Sequence, residues 1–406
     1  MNKEVPVLIL GSHYNALSMT QILGKAGIKC YVISFTKGVA GRSKYGVYVK
    51  SPDPLKKPEA FISFLENYCT SLPKAPVIIP SMDQWALVLS KCKVENKVVD
   101  HTANLELLLN KDQFYAFGEK EGYAVPKSFS LNAVNQIPLE AYPLVVKPNF
   151  RLEPGKNAEE IEDFSEEISK YRLKQFDTPQ ELKTFISEKK NKNIVPHLIL
   201  QEFVTGNSDC MFTYGIYAEE GKILGDFQGR KVRGYPHGYG DCIVGERHDL
   251  PEKVVSEAKR LIAQLKYTGI AEVEYKKDEQ TGIFKLIEIN PRSWSWVGIT
   301  QFTEHNLPIL AYLSMTNQSL PVKNPNNKEG KVIFKKVIED RFNSLYRYKK
   351  TYPAWSKNST TWKKEFSNSF VYKAEFSHND YFQWVFSFLR ENAILYIKWF
   401  ILKRKN

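Results

Sequence analysis

Apolar positions along this chain fall first in short unbroken runs, then alternate with polar ones, and finally crowd into an aromatic, basic tail. Val7-Leu-Ile-Leu10, a turn at Gly11, a helical stretch over Ala16–Ala26 and a second run at Gly27–Ile33 predict a βαβ opening. Such an opening makes a parallel sheet with a ligand edge at the strand ends. A second unit follows, with a helix near Glu59–Leu72, a strand over Pro76–Pro80, and Ser81 and Asp83 reading as caps of another helix. The pattern then predicts a helix from Asn110 to Gly122, a buried strand over Tyr142–Pro148 that ends in Lys147, and a strand over Leu198–Val204 leading to Thr205-Gly206. Alternation over Met211–Ala218 and Lys222–Gln228 predicts antiparallel strands, and a helix over Pro251–Leu265 precedes two β-rich runs. Residues 151–192 are charged and poor in apolar pattern, which reads as a mobile lobe or insertion, and Arg230–Asp241 reads as a basic, glycine-rich loop.

Those two β-rich runs carry the most chemistry. They end in Gly269-Ile-Ala-Glu-Val-Glu274 and Leu286-Ile-Glu288-Ile-Asn290-Pro-Arg292, and they can pair as an antiparallel hairpin. Strand side chains alternate with period two, so Asn290 points the same way as Glu288, and Glu272 the same way as Glu274. Glu274, Glu288 and Asn290 make a hard-oxygen set suited to Mg²⁺, an ion usually completed by waters and phosphates. Arg292 adds a rigid fork for phosphate or carboxylate. An amphipathic hairpin with solvated acids explains the same residues equally well when it stands alone.

The chain has 406 residues, 43% of them hydrophobic and 25% charged, which bounds it to a soluble globular protein of two or three domains. Its formal charge of +12 is spread along the sequence and accompanies no nucleic-acid motif, which argues against nucleic-acid binding. Cys30, Cys69, Cys92, Cys210 and Cys242 stand apart without a metal-site spacing and read as free thiols of a cytoplasmic protein. Gly11-Ser-His-Tyr-Asn15 is not a GxGxxG fingerprint, and no acid follows Ile33, so a dinucleotide-binding oxidoreductase is a weaker alternative.

A strand-end lysine, a Gln201-Glu-Phe-Val204-Thr-Gly206 hinge and the Glu…Glu-x-Asn-Pro-Arg hairpin occur in the order seen in the ATP-grasp superfamily, which residues 105–320 resemble. The Asn15-Ala-Leu opening, Gly41-Arg-Ser-Lys-Tyr45, the Arg230-Lys-Val-Arg233 stretch and Trp294 are similar to the carboxylate–amine ligase group that contains D-aspartate ligases. The resemblance implies an α/β and α+β architecture: a Rossmann-like pre-ATP-grasp domain over 1–104, a two-lobed ATP-grasp domain over 105–325, and a basic aromatic extension over 326–406. It implies ATP and Mg²⁺ as cofactors, and small amino-acid or peptide-like carboxylates and amines as substrates joined through an acylphosphate.

By the same resemblance Lys111 and Lys147 would neutralise phosphates, Glu202 and Val204 would hold the adenine edge, and Asp209 the ribose. Glu274, Glu288 and Asn290 would hold the metal. Arg292 would serve the phosphoryl oxygens, with Arg230 and Arg233 contacting anions from a lid formed by Arg230–Asp241. The chain departs from many such enzymes in having a single glycine after Lys147, so either the backbone clamps the triphosphate differently or Arg151 and Lys156 contribute. Specificity is expected near Trp294, Trp296, Arg233, His13, Asn15 and Asp83. A non-catalytic ATP-binding regulator is the other alternative, against which the intact metal set argues. The tail from Tyr381 to Asn406, rich in aromatics and ending in Lys403-Arg-Lys405, is too often interrupted by charge to span a bilayer. It suits either peripheral contact with the inner membrane face or packing on the protein's own body.

Overall fold

A computed structural model describes residues 1–149, 173–190, 195–376 and 380–404. The opening runs form β1 (Val7–Leu10), β2 (Cys30–Ser34), β3 (Gly46–Lys50) and β4 (Val77–Pro80), a parallel sheet in the order β3-β2-β1-β4. All of β1 is buried, which is why its sequence is continuously apolar instead of alternating. Helices α1 (Tyr14–Lys25), α2 (Pro58–Thr70) and α3 (Asp83–Lys91) connect or follow these strands. Helices α4 (Thr102–Leu109) and α5 (Lys111–Lys120) then lead away, with Asn110 capping α5 by accepting from the Gln113 amide at 3.1 Å.

A small antiparallel lobe follows. It contains β5 (Ser128–Phe129), β6 (Leu144–Pro148), β7 (Lys174–Phe176) and β8 (Leu198–Glu202) in the order β5-β8-β6-β7. Leu144, Val146, Phe176, Leu182, Phe185 and Leu200 give it a core of its own, with the helix Pro179–Lys190 laid over the sheet.

The third sheet has seven strands: β9 (Met211–Glu219), β10 (Lys222–Tyr235), β11 (Asp241–Arg247), β12 (Gly269–Lys277), β13 (Phe284–Asn290), β14 (Val332–Lys335) and β15 (Phe370–Lys373), in the order β13-β12-β9-β10-β11-β14-β15. One expectation changes here. The stretch Arg230–Asp241 is a β-hairpin and not a loop: β10 runs on to Tyr235, which pairs with Asp241 across a short tip. The C-terminal extension supplies β14 and β15 to this sheet.

One core joins the N-terminal sheet to the large one, since Val7, Ile9 and Leu17 pack in the same cluster as Trp294, Trp296, Leu310 and Phe334. The Trp294 ring lies across Gly215 of β9 so closely that a Cβ there would stand 2.3 Å from it. The C-terminal helix Tyr381–Arg404 is anchored at its start by buried Asp380, which accepts from Gln21 Nε2 at 3.0 Å, from the Lys44 amide at 3.0 Å and from the Ser43 hydroxyl. Among the described residues no helix is long and apolar enough to cross a membrane. Arg151 and Lys156, expected over the triphosphate, lie outside the described residues, as do the side chains of Tyr396, Trp399, Phe400 and Lys403.

Candidate active site

The hairpin of β12 and β13 sets its acids by register: Glu274 lies opposite Glu288, and Glu272 opposite Asn290. A bulge follows, because Tyr275 pairs with Leu286 and skips Ile287. The Ile287 carbonyl accepts from the Tyr115 hydroxyl of α5 at 2.6 Å, which fixes the hairpin against that helix. Each facing acid has its own cation. Lys111, the first residue of α5, donates to Glu288 at 2.9 Å, and Lys231 of β10 lies 3.3 Å from both oxygens of Glu274. Desolvation works against the Lys231 ammonium, but the charges of Glu274 and Glu272 outweigh it and hold its proton more tightly than an ordinary lysine's.

Glu272, a weaker metal candidate in the sequence, is fully enclosed. It accepts from Thr213 Oγ1 at 3.0 Å, Trp296 Nε1 at 3.2 Å and Asn290 Nδ2 at 3.1 Å. Desolvation, and then the neighbouring charge of Glu274, push its carboxyl well above the ordinary range. Glu272 therefore orients Asn290 by accepting its amide N–H, which leaves the Asn290 carbonyl oxygen turned towards Arg292, whose Nη2 donates to it at 3.0 Å. Arg292 also donates to Asp83 of α3 at 2.7 Å and to the Ser293 carbonyl at 3.0 Å. Asp83 is thus no helix cap: α3 has no side-chain cap, and the carboxylate crosses to the large sheet.

The nucleotide-side candidates come from the small lobe and the joint behind it. Lys147 on β6 donates to Gln201 Oε1 of β8 at 3.3 Å, and Gln201 in turn reaches Ser128 at 3.2 Å. Glu202 pairs with Lys285 of β13, so the joint is tied to the acidic hairpin. Val204 is buried directly after it. Asp209 sits in the single turn Ser208–Cys210. Buried Lys276 donates to the Gly238 carbonyl at 3.1 Å. Desolvation lowers the Lys276 ammonium to about 8. Lys276 continues the period-two row Glu272, Glu274 along β12, a signal present in the sequence and not used.

Arg230 and Arg233 stand apart from this cluster. Arg230 pairs with Glu246 of β11 at 2.5 Å. Arg233 is 1% exposed, and its guanidinium is divided between Asp340, at 2.7 and 3.1 Å, and Glu365, at 2.6 and 2.9 Å. It is a buried structural pair and not an anion contact on a lid. The hairpin tip is equally fixed: buried His237 bonds Ser208 at 2.8 Å and lies 4.2 Å from the Trp355 ring. Trp294 and Trp296 are buried core residues.

Among the described residues no three or more His, Cys, Asp or Glu side chains gather as a metal site. The donors Glu274, Glu288 and Asn290 are two carboxylates and an amide, a fit for Mg²⁺ that takes its remaining ligands from phosphates and water. The cations of Lys111 and Lys231 show where positive charge is held at those oxygens.

No family model matches the chain. It is 25% identical over 321 residues to a D-aspartate ligase of Enterococcus faecium (strain Aus0004), covering 72% of each chain. In structure it is similar to an L-amino acid ligase from Bacillus licheniformis, with a TM-score of 0.55 over 78% of this chain and 75% of that one, at 16% identity. It is also similar to the biotin carboxylase domain of Hydrogenobacter thermophilus 2-oxoglutarate carboxylase in complex with MgADP, with a TM-score of 0.57 over 80% and 73% of the two chains, at 13% identity. The chain has the ATP-grasp fold.

Proposed function

We propose that the protein is an ATP- and Mg²⁺-dependent ligase that joins the carboxylate of a small amino-acid or peptide-like substrate to an amine through an acylphosphate. The observation that carries this is the register of β12 and β13, which sets Glu274 against Glu288 and delivers Asn290 and Arg292 to the same edge. The likeness to a D-aspartate ligase and to an L-amino acid ligase supports it.

Lys147 and Lys111 bind the phosphates as compact charges, with Lys111 exchanging its contact to Glu288 for the nucleotide. Glu202 and Val204 hold the base and Asp209 the sugar. Glu274, Glu288 and Asn290 would hold Mg²⁺, which offsets the charge on the β- and γ-phosphates when bound. Arg292, steadied by Asp83, is a preorganised donor for the oxygens that gain charge as the substrate carboxylate attacks the γ-phosphorus and as the amine then displaces phosphate. Lys231 holds Glu274 in place through contacts to both of its oxygens. The test is ADP release with Mg·ATP and paired carboxylates and amines, D-aspartate included. A panel that raises release for no pair, with a chain that binds no ATP, would overturn the proposal.

The tail adds a second element to the proposal: peripheral contact with an anionic membrane through Tyr381–Asn406. Tyr381, Phe382 and Leu389 are 66%, 83% and 62% exposed, which supports it. Co-sedimentation with anionic vesicles at low salt is expected, and a full-length chain that stays in solution contradicts it.

A further inference from the structure

A hairpin tip ordinarily stands in water. The tip that joins β10 to β11 is instead drawn inwards, with His237, Gly238 and Gly240 buried. Gly238, at φ +86°, lies so close to the joint behind the small lobe that a Cβ there would stand 3.2 Å from the Gly206 carbonyl oxygen. Two hydrogen bonds converge on the Ser208 hydroxyl. The Gly238 amide donates to it at 3.1 Å, and Nδ1 of His237 lies 2.8 Å from it. An oxygen that accepts from Gly238 still has its own proton to give to Nδ1. Lys276 holds the same tip by donating to the Gly238 carbonyl at 3.1 Å.

The imidazole is backed by rings from the C-terminal extension, with centroids 4.2 Å away for Trp355 and 5.2 Å for Tyr352. Tyr348 fastens the strand that leads to the tip, its hydroxyl donating to the Gly234 carbonyl at 2.7 Å. Nε2 of His237 is buried without a hydrogen-bond partner among the described residues, so the polar contact of this ring is with Ser208. The ring thus joins an aromatic backing to one hydrogen bond. What that bond holds bears on the nucleotide. Ser208, 1% exposed, opens a three-residue turn whose middle residue is Asp209, the ribose residue of the ligase reading. The Asp209 charge reaches the imidazole, and in so short a turn the anchoring of Ser208 also fixes Asp209.

We infer that His237 is a positioning residue for the nucleotide: backed by Tyr352 and Trp355, it holds Ser208 and with it the turn that presents Asp209 to the ribose hydroxyls. The inference rests on the ligase reading above. It makes nucleotide affinity depend on the extension beyond residue 325.

The test uses the full chain with Mg²⁺ and calorimetric titration of ADP and of 2′,3′-dideoxy-ADP, which lacks both ribose hydroxyls. The parent should hold ADP more tightly. His237→Phe keeps a ring against Tyr352 and Trp355 but cannot bond Ser208. It should weaken ADP about tenfold while dideoxy-ADP binds as it does to the parent. His237→Asn, whose amide can take the place of Nδ1, should restore most of the loss. Ser208→Ala should match His237→Phe, and the two together should lose no more than either alone. Should His237→Phe fail to fold, Ser208→Ala carries the same comparison. In turnover the loss should fall on KM for ATP with kcat little changed. Equal weakening of both nucleotides would make His237 a general packing residue and overturn the inference, as would unchanged ADP binding or losses that add in the double variant. Trp355→Leu should show the same selective loss, and a parent-like result there overturns the dependence on the extension. A parent that holds both nucleotides equally removes the ribose role of Asp209 and the inference with it. A parent that binds neither instead removes the ligase reading beneath it.

Discussion

Glu288 and His237 illustrate opposite uses of a side chain. Glu288 gains its role from the register that faces it to Glu274, and its link to Lys111 is a single contact at 2.9 Å. Glu288→Gln should cut ligase turnover by about a hundredfold or more while the melting temperature stays close to the parent's; near-parent ADP release at ordinary Mg²⁺ would remove the metal assignment. His237 is buried, and desolvation lowers its imidazole to about 4. The unfolded chain protonates this group near pH 6.5. Its stabilising effect is therefore complete above that pH and is lost as the pH falls from about 6.5 towards 4. His237→Gln should flatten the acid limb of stability by on the order of 2 kcal/mol, measured as urea midpoints between those pH values. Parallel limbs in the two chains would exclude His237 as the cause. The sequence made Glu274, Glu288, Asn290 and Arg292 legible because period two alone places them on one edge. It did not reveal Lys231 or Asp83 as partners, since each arrives from an element remote in the chain.

At the scale of elements, the βαβ opening and the acidic hairpin follow from runs and alternation, whereas the hairpin of β10 and β11 does not. Its glycines and basic residues imitate a loop, and only pairing with β11 and the distant acids Asp340 and Glu365 makes it a strand. Removing one member of a buried charge pair leaves the others uncompensated, so Arg233→Met should cost about 3–5 kcal/mol by denaturant unfolding. A loss under about 1 kcal/mol would return Arg233 to the surface role expected of a lid. Gly215→Ala is a second test of packing, since the added methyl meets the Trp294 ring at 2.3 Å and the crowded core must shift. A clear fall in melting temperature is expected, and an unchanged one would mean that the ring moves freely.

For the whole molecule, the basic, aromatic extension is bound into the rest of the fold. Strands β14 and β15 extend the large sheet, and Asp380 ties the tail to Gln21, Ser43 and Lys44 near the other end of the chain. Truncation at residue 325 should therefore give a chain without a cooperative thermal transition, while circular dichroism of the parent shows one. A truncated chain that melts like the parent would mean that β14 and β15 are dispensable to the sheet. Such long-range ties leave no local pattern, because the acids that meet Arg233 look like any polar surface residues until the sheet is assembled.

The single core shared by the N-terminal and large sheets also decides which part of the molecule can swing. Side chains interleaved across that boundary would have to leave contact before the two bodies could separate. The small lobe has a core of its own and meets the rest through Ile199, which reaches the large-sheet cluster, and through polar links such as Glu202 with Lys285 and Asn149 with the backbone of Lys111 and Asp112. Opening and closing should thus be a hinge motion of that lobe about a fixed platform. Lys147 travels with that lobe, while the acids of the hairpin and Arg292 stay with the platform.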